Sequence, residues 1–152
     1  MNEELTVKGR LSWKHVRNGE VIAAAERDNV ITTAGKNALA TLLTSAAAGT
    51  SLVTHMGFGT ASAPVNVADA ALGTELSGNG YGRVAVARSN PSGNVVQYTA
   101  TLTGLSAEVT VEEAGLFDAD TGGTLFAHQL TGPVTLSSAS DSLQVTWQVT
   151  VS

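Results

Sequence analysis

The chain has 152 residues, 43% of them hydrophobic and 14% charged, with a formal net charge of −5 and no cysteine. This composition fits one globular domain able to bury a core of its own, and it excludes disulfides, thiolate metal sites and thiol nucleophiles. The chain has only eight Lys and Arg, and none of them form a block. It therefore lacks the positive footprint that phosphate demands, and no nucleic-acid partner or polybasic membrane contact is expected. The acidic N-terminus MNEELTVKGR has no apolar segment of a secretory signal. No apolar run reaches the roughly 18 residues of a membrane span, so no membrane association is expected.

The first element is a strand. Leu5, Val7, Gly9, Leu11 and Trp13 alternate with Thr6, Lys8, Arg10, Ser12 and Lys14, the period of two of a half-buried strand. Asn18-Gly19 supplies a tight turn, and a second strand from Val21 to about Arg27 completes a hairpin. A single helix is expected from about residue 34 to 47. Thr32 or Thr33 is its cap, Leu39, Leu42, Leu43 and Ala46 form its apolar stripe, and Gly49 terminates it.

A short strand follows from Leu52 to Phe58. Residues 60–68 read as an irregular loop and residues 69–76 as a short helical turn. Strands are expected at Tyr81–Ser89 and Val95–Thr103 around the turn signal Asn90-Pro91-Ser92-Gly93-Asn94. Two more, Ala107–Phe117 and Thr124–Leu130, flank the turn at residues 118–123. A short edge strand is expected within residues 133–141, since Pro133 cannot donate to a ladder. The last strand is the cleanest, with Leu143, Val145, Trp147, Val149 and Val151 alternating with polar residues. The expected fold is mainly β: an antiparallel β-sandwich or open barrel of about eight or nine strands with one α-helix. It is expected as one domain over residues 1–152, with an N-terminal arm at residues 1–4.

Side chains able to do chemistry are sparse. His15, His55 and His128 fall on three separate predicted strands with no ligand spacing between them. Asp118-Ala119-Asp120 resembles the start of a calcium loop, which makes Asp118 and Asp120 the metal candidates. Gly122 and Gln129 stand where that loop needs its other ligands, and a hairpin turn explains the same residues. Glu112 and Glu113 point to opposite faces of a strand. They form no acid/base pair: either one of them is buried against an arginine such as Arg83 or Arg88, or both are solvated. No phosphate loop and no nucleophile elbow is present. No catalytic residue and no cofactor is therefore expected. Trp13 and Trp147 are expected in the core.

Four segments together resemble small structural proteins of tailed-bacteriophage virions. They are residues 29–40 (NVITTAGKNALA), Met56 to Leu76 (MGFGTASAPVNVADAALGTEL) followed by Arg83, Val111 to Leu130 (VEEAGLFDADTGGTLFAHQL), and the closing alternating strand. In such proteins a helix, a Gly-Thr loop, an Asp-x-x-Leu-x-x-Glu-Leu turn and a Glu-Ala-Gly-Leu-Phe strand recur in this order. The resemblance spans about residues 28–152. It implies a virion component of the capsid decoration or cement, collar or tail-fibre type, made in the host cytoplasm, and it brings no catalytic residues.

The leading expectation is a decoration or cement protein that binds the assembled shell and stabilises it by mass action. Its expected partners are further copies of itself, as a dimer or trimer, and the major capsid protein. The expected contact segments are the arm, Met1, Asn2, Glu3, Glu4 and Leu5, and the loop Thr60, Ala61, Ser62, Ala63 and Pro64, because irregular exposed segments carry contacts. The alternatives are a neck, baseplate or tail-fibre part and, further off, a carbohydrate-binding module, which the low aromatic content disfavours.

Overall fold

The computed structural model describes residues 4–44 and 51–152. Among them are nine strands and one helix: β1 (Val7–Arg17), β2 (Glu20–Ile31), α1 (Thr33–Thr44), β3 (His55–Gly59), β4 (Val84–Ala85), β5 (Ala87–Ser92), β6 (Val95–Leu102), β7 (Val109–Phe117), β8 (Leu125–Leu136) and β9 (Asp141–Val151). All pairings are antiparallel, in the order β4-β3-β7-β8-β2-β1-β9-β6-β5. The strands wrap into a nearly closed barrel-like sandwich.

Two stretches of chain make the corners. β2 pairs with β1 over most of its length and then gives its last two residues, Val30 and Ile31, to β8. At the opposite end the chain runs directly from β4 to β5 through Val86, whose N–H donates to Thr54 O at 2.9 Å. Strands that change sheet in this way are how a sandwich turns its corners.

The alternation read from the sequence is realised in β1 and β9. Leu11, Trp13, Leu143, Val145, Trp147 and Val149 are buried between the two halves. Both indoles find acceptors: Trp13 Nε1 donates to Thr131 O at 3.0 Å, and Trp147 Nε1 donates to Asn29 Oδ1 at 2.8 Å. A buried ring of this size is affordable only with its N–H satisfied. Asn18 and Gly19 both adopt positive φ in the β1–β2 turn.

The helix begins as expected and Thr32 is its cap, with Gly35 N donating to Thr32 Oγ1 at 2.9 Å. Gly35 lets the helix lie on β8, since an added Cβ would meet the backbone of Phe126. The expected residues 45–47 and the terminator Gly49 lie outside the described residues.

Three expectations need correction. Residues 69–76 form bends, with a single bridge from Glu75 to Gly59, in place of a helical turn. Tyr81 precedes the strands rather than opening one: its hydroxyl donates to Ala107 O at 2.7 Å, which holds it in the core. There is no separate strand over 133–141. β8 continues through Pro133 to Leu136, because the register against β7 shifts between Val111 and Glu113 and Gly132 takes a positive φ there. A bulge of this kind absorbs the proline that an unbroken ladder would not.

Candidate functional site

β7 is buried on both faces, unlike β1 and β9. Val111, Ala114 and Leu116 enter the main core. Glu113, Gly115 and Phe117 are buried as well, and a strap of chain, residues 60–76, lies over them. Several residues of the strap dock it onto the sheet. Thr60 N donates to Thr74 O at 3.0 Å, which closes its base. Leu76 N donates to Phe58 O at 2.8 Å, which ties its end to β3. Leu72 fills a small apolar cluster with Phe117 and Leu125, apart from the main core. Thr33 N donates to Val67 O at 2.7 Å and joins the strap to the start of α1.

The centre of this docking is the Glu113 carboxylate, 1% exposed. Its Oε1 accepts from Thr74 N at 2.8 Å and its Oε2 from Gly73 N at 3.0 Å. On the other side, Oε2 is 2.8 Å from His128 Nε2. His128 Nδ1 is in turn 2.7 Å from Asp69 Oδ2, back on the strap. Asp69 Oδ2 also accepts from Asn66 N at 2.8 Å. A buried carboxylate is tolerable only when paired and hydrogen-bonded. Glu113 meets both conditions by gripping the strap backbone.

The glycines beneath the strap are there for space. A Cβ on Gly59 would lie 2.3 Å from Glu113 Oε1 and 2.6 Å from Thr74 O. A Cβ on Gly115 would lie 2.7 Å from Leu125 and 2.9 Å from Leu72.

A second fastening adjoins the first. Arg83 stacks over the Phe117 ring at 3.5 Å and donates to Glu75 Oε1 from Nε at 3.1 Å and from NH2 at 2.9 Å. Its NH1 donates to Ala119 O and Gly122 O, both at 2.8 Å. The two acidic residues of the recurring turn thus have separate tasks, Asp69 on His128 and Glu75 on Arg83.

The same geometry places the metal candidates. Asp118 Oδ1 accepts from Thr124 N at 2.6 Å within its own turn, and Asp120 is exposed. The turn carbonyls of Ala119 and Gly122 already face the Arg83 guanidinium, where a cation would otherwise sit. Asp69 and Glu113 contact opposite nitrogens of one imidazole and so do not converge on a common point. Among the described residues no three His, Asp or Glu side chains are placed to share a metal ion. No described helix is long and apolar enough to cross a membrane.

Of the contact candidates, Met1, Asn2 and Glu3 lie outside the described residues. Glu4 and Leu5 are exposed, and the chain is tied from Thr6 onward by reciprocal bonds between Thr6 and Ser152. In the loop, Ser62, Ala63 and Pro64 are exposed and Thr60 and Ala61 are half-buried. Of Glu112 and Glu113 it is Glu113 that is buried, and its partner is a histidine in place of the expected arginine: Arg83 goes to Glu75, and Arg88 NH1 to Ser51 Oγ at 2.6 Å. The contact between His128 and Asp69 was not foreseen. The available signal was the recurring Asp-x-x-Leu-x-x-Glu-Leu turn, whose spacing carries the three anchors Asp69, Leu72 and Glu75.

A second buried carboxylate lies elsewhere. Asp141, at the start of β9, accepts from Arg17 Nε at 2.8 Å, Arg17 NH2 at 2.9 Å and Ser137 N at 2.9 Å. His15 Nε2 is 2.8 Å from Asp141 Oδ2. The forked Arg17 guanidinium, seconded by Ser137 N–H and His15, holds this carboxyl far below the usual carboxylate range against the opposing effect of burial.

The fold and the clasped strap define a β-structural protein whose buried polar groups serve to fix a surface. A family model, Podophage GP4 fiber I protein gp80, matches residues 36–149, about three quarters of the chain. The chain belongs to this family, and so to the structural proteins of tailed-phage virions. No curated protein matches it.

Proposed function

We propose that this chain is a fibre-type component of the virion. In this reading it works by binding neighbouring virion proteins and further copies of itself, without catalysis. The observation that carries the reading is the strap: an irregular segment held on rigid strands, presenting Ser62, Ala63, Pro64 and a half-exposed Val67. A contact segment fixed before binding loses little entropy on docking. The family match, to a protein described as a fiber I protein, supports the fibre reading. The exposed arm at Glu4 and Leu5 is the second proposed contact.

The test is incorporation into particles. Phage carrying Ser62→Arg with Val67→Asp are purified, and the protein is quantified against the major capsid protein by peptide mass spectrometry. Loss of the protein from particles, with the isolated variant keeping its melting temperature, supports the strap as a contact. Full incorporation sinks it. Deletion of Met1 to Glu4 tests the arm in the same way. The wild-type copy number decides between locations: a few copies per particle fit a fibre, and a number that scales with the shell lattice returns the decoration or cement reading.

A further inference from the structure

We infer that the Glu113–His128–Asp69 contact is a proton-dependent latch on the strap. It is closed when His128 is an imidazolium and loosened when that proton leaves. The number of hydrogens on the ring decides which state closes it. Both ring nitrogens of His128 approach carboxylate oxygens, at 2.7 and 2.8 Å. A neutral imidazole has one N–H and one lone pair. It satisfies one of these contacts and sets lone pair against lone pair at the other.

The missing hydrogen belongs on the ring and not on an acid. Glu113 already accepts from Gly73 N and Thr74 N, and Asp69 from Asn66 N, which suits ionised carboxylates. The other neighbours of the ring do not replace the charge. Its backbone partners across the sheet are Gly115 on β7 and Val30 on β2. Arg83, the cation of the adjoining fastening, is engaged by Glu75 and the carbonyls of the 118–123 turn. Loss of the proton leaves two carboxylates around a neutral ring, with the strap backbone bound to one of them. Loss of that proton removes one of the ring's two donors, so the strap is held more firmly on the acidic side of the His128 ionisation and less firmly on its alkaline side.

The inference stands on this geometry and holds whether or not the strap is the virion contact. It is tested on the isolated full-length protein. Leu72 methyl resonances and the Gly73 and Thr74 amide resonances are followed by NMR from about pH 5 upward until the His128 ring has lost its proton. The latch requires that they shift together, with the midpoint of the carbon-bound ring protons of His128. The Ser137 amide on Asp141, which is backed by Arg17, should not follow that midpoint. In His128→Gln the strap signals lose this titration. Strap signals that stay flat while the His128 ring titrates overturn the inference, as does an unchanged titration in His128→Gln. If that variant does not fold, the wild-type titration decides alone.

Discussion

Among the described residues two carboxylates are buried, Asp141 and Glu113, and they differ in what stands behind them. Asp141 joins the start of β9 to the end of β1 through Arg17, a permanent cation with a planar fork suited to a carboxylate. Glu113 joins the strap to β7 through backbone N–H groups and a histidine, a side chain that, unlike arginine, can exist without its charge. The first fastens strand to strand and belongs to the frame. The second fastens an irregular segment to the outside of the frame and belongs to the surface that the segment presents. The same carboxylate group, buried to the same degree, serves the whole fold in one place and one segment in the other.

Breaking the frame should cost most. Asp141→Ala leaves the buried His15 and the Ser137 N–H without their acceptor and releases the half-exposed Arg17. It is expected to lower the unfolding free energy by about 3 kcal/mol, the upper end for hydrogen bonds to a charged group. Urea melts measure it, and the loss should be global.

Glu113→Gln keeps the shape and removes the charge. It is expected to cost about 2–3 kcal/mol, the range for hydrogen bonds to a charged group. Its loss should appear mainly as proteolytic nicking within residues 60–76. Equal susceptibility of strap and frame would contradict the distinction between the two carboxylates.

Gly59→Ala drives a methyl group into Glu113 and the Thr74 carbonyl. An expected cost of about 2 kcal/mol follows from overpacking, again confined to the strap in hydrogen exchange. Thr32→Ala removes the helix cap for about 1 kcal/mol, measurable by thermal melting.

The acid limb of stability sharpens the contrast. The carboxyl of Asp141 is depressed in the folded state from an ordinary value of 3.8. Its contribution is therefore fully present above that value and is lost as pH falls below it toward the folded value. Wild-type stability should decline below about pH 4, and in Asp141→Asn this part of the decline should be absent. Superimposable acid profiles would show that Asp141 is not the group responsible.

The frame was legible in the sequence because its signals are periodic. The alternation in β9 and β1 fixes which residues face inward, and Thr32 with its hydroxyl marks the helix start. The strap was not legible, for a physical reason. Asp69-Ala70-Ala71-Leu72 has the cap and the alanines of a helix start, and local propensity favours one. The Asp69 carboxylate is instead claimed by Asn66 N–H and His128. Leu72 finds its cluster against β7 and β8, which lie far along the chain. Such contacts leave no period to read. Pro133 misled in the same way, since a bulge at Gly132 absorbs a residue that an ordinary ladder would exclude. The recurring turn and the Glu-Ala-Gly-Leu-Phe strand marked the right residues. What they do became visible only when the fold placed one on the other.

The most direct test is amide hydrogen exchange at Gly73 and Thr74, compared with Val145 and Trp147 in β9, in the wild type and in Glu113→Gln. If Glu113 clasps the strap, the wild type protects all four, and the variant loses protection at Gly73 and Thr74 while β9 keeps its own. Unchanged protection at Gly73 and Thr74, or an equal loss in β9, would contradict it.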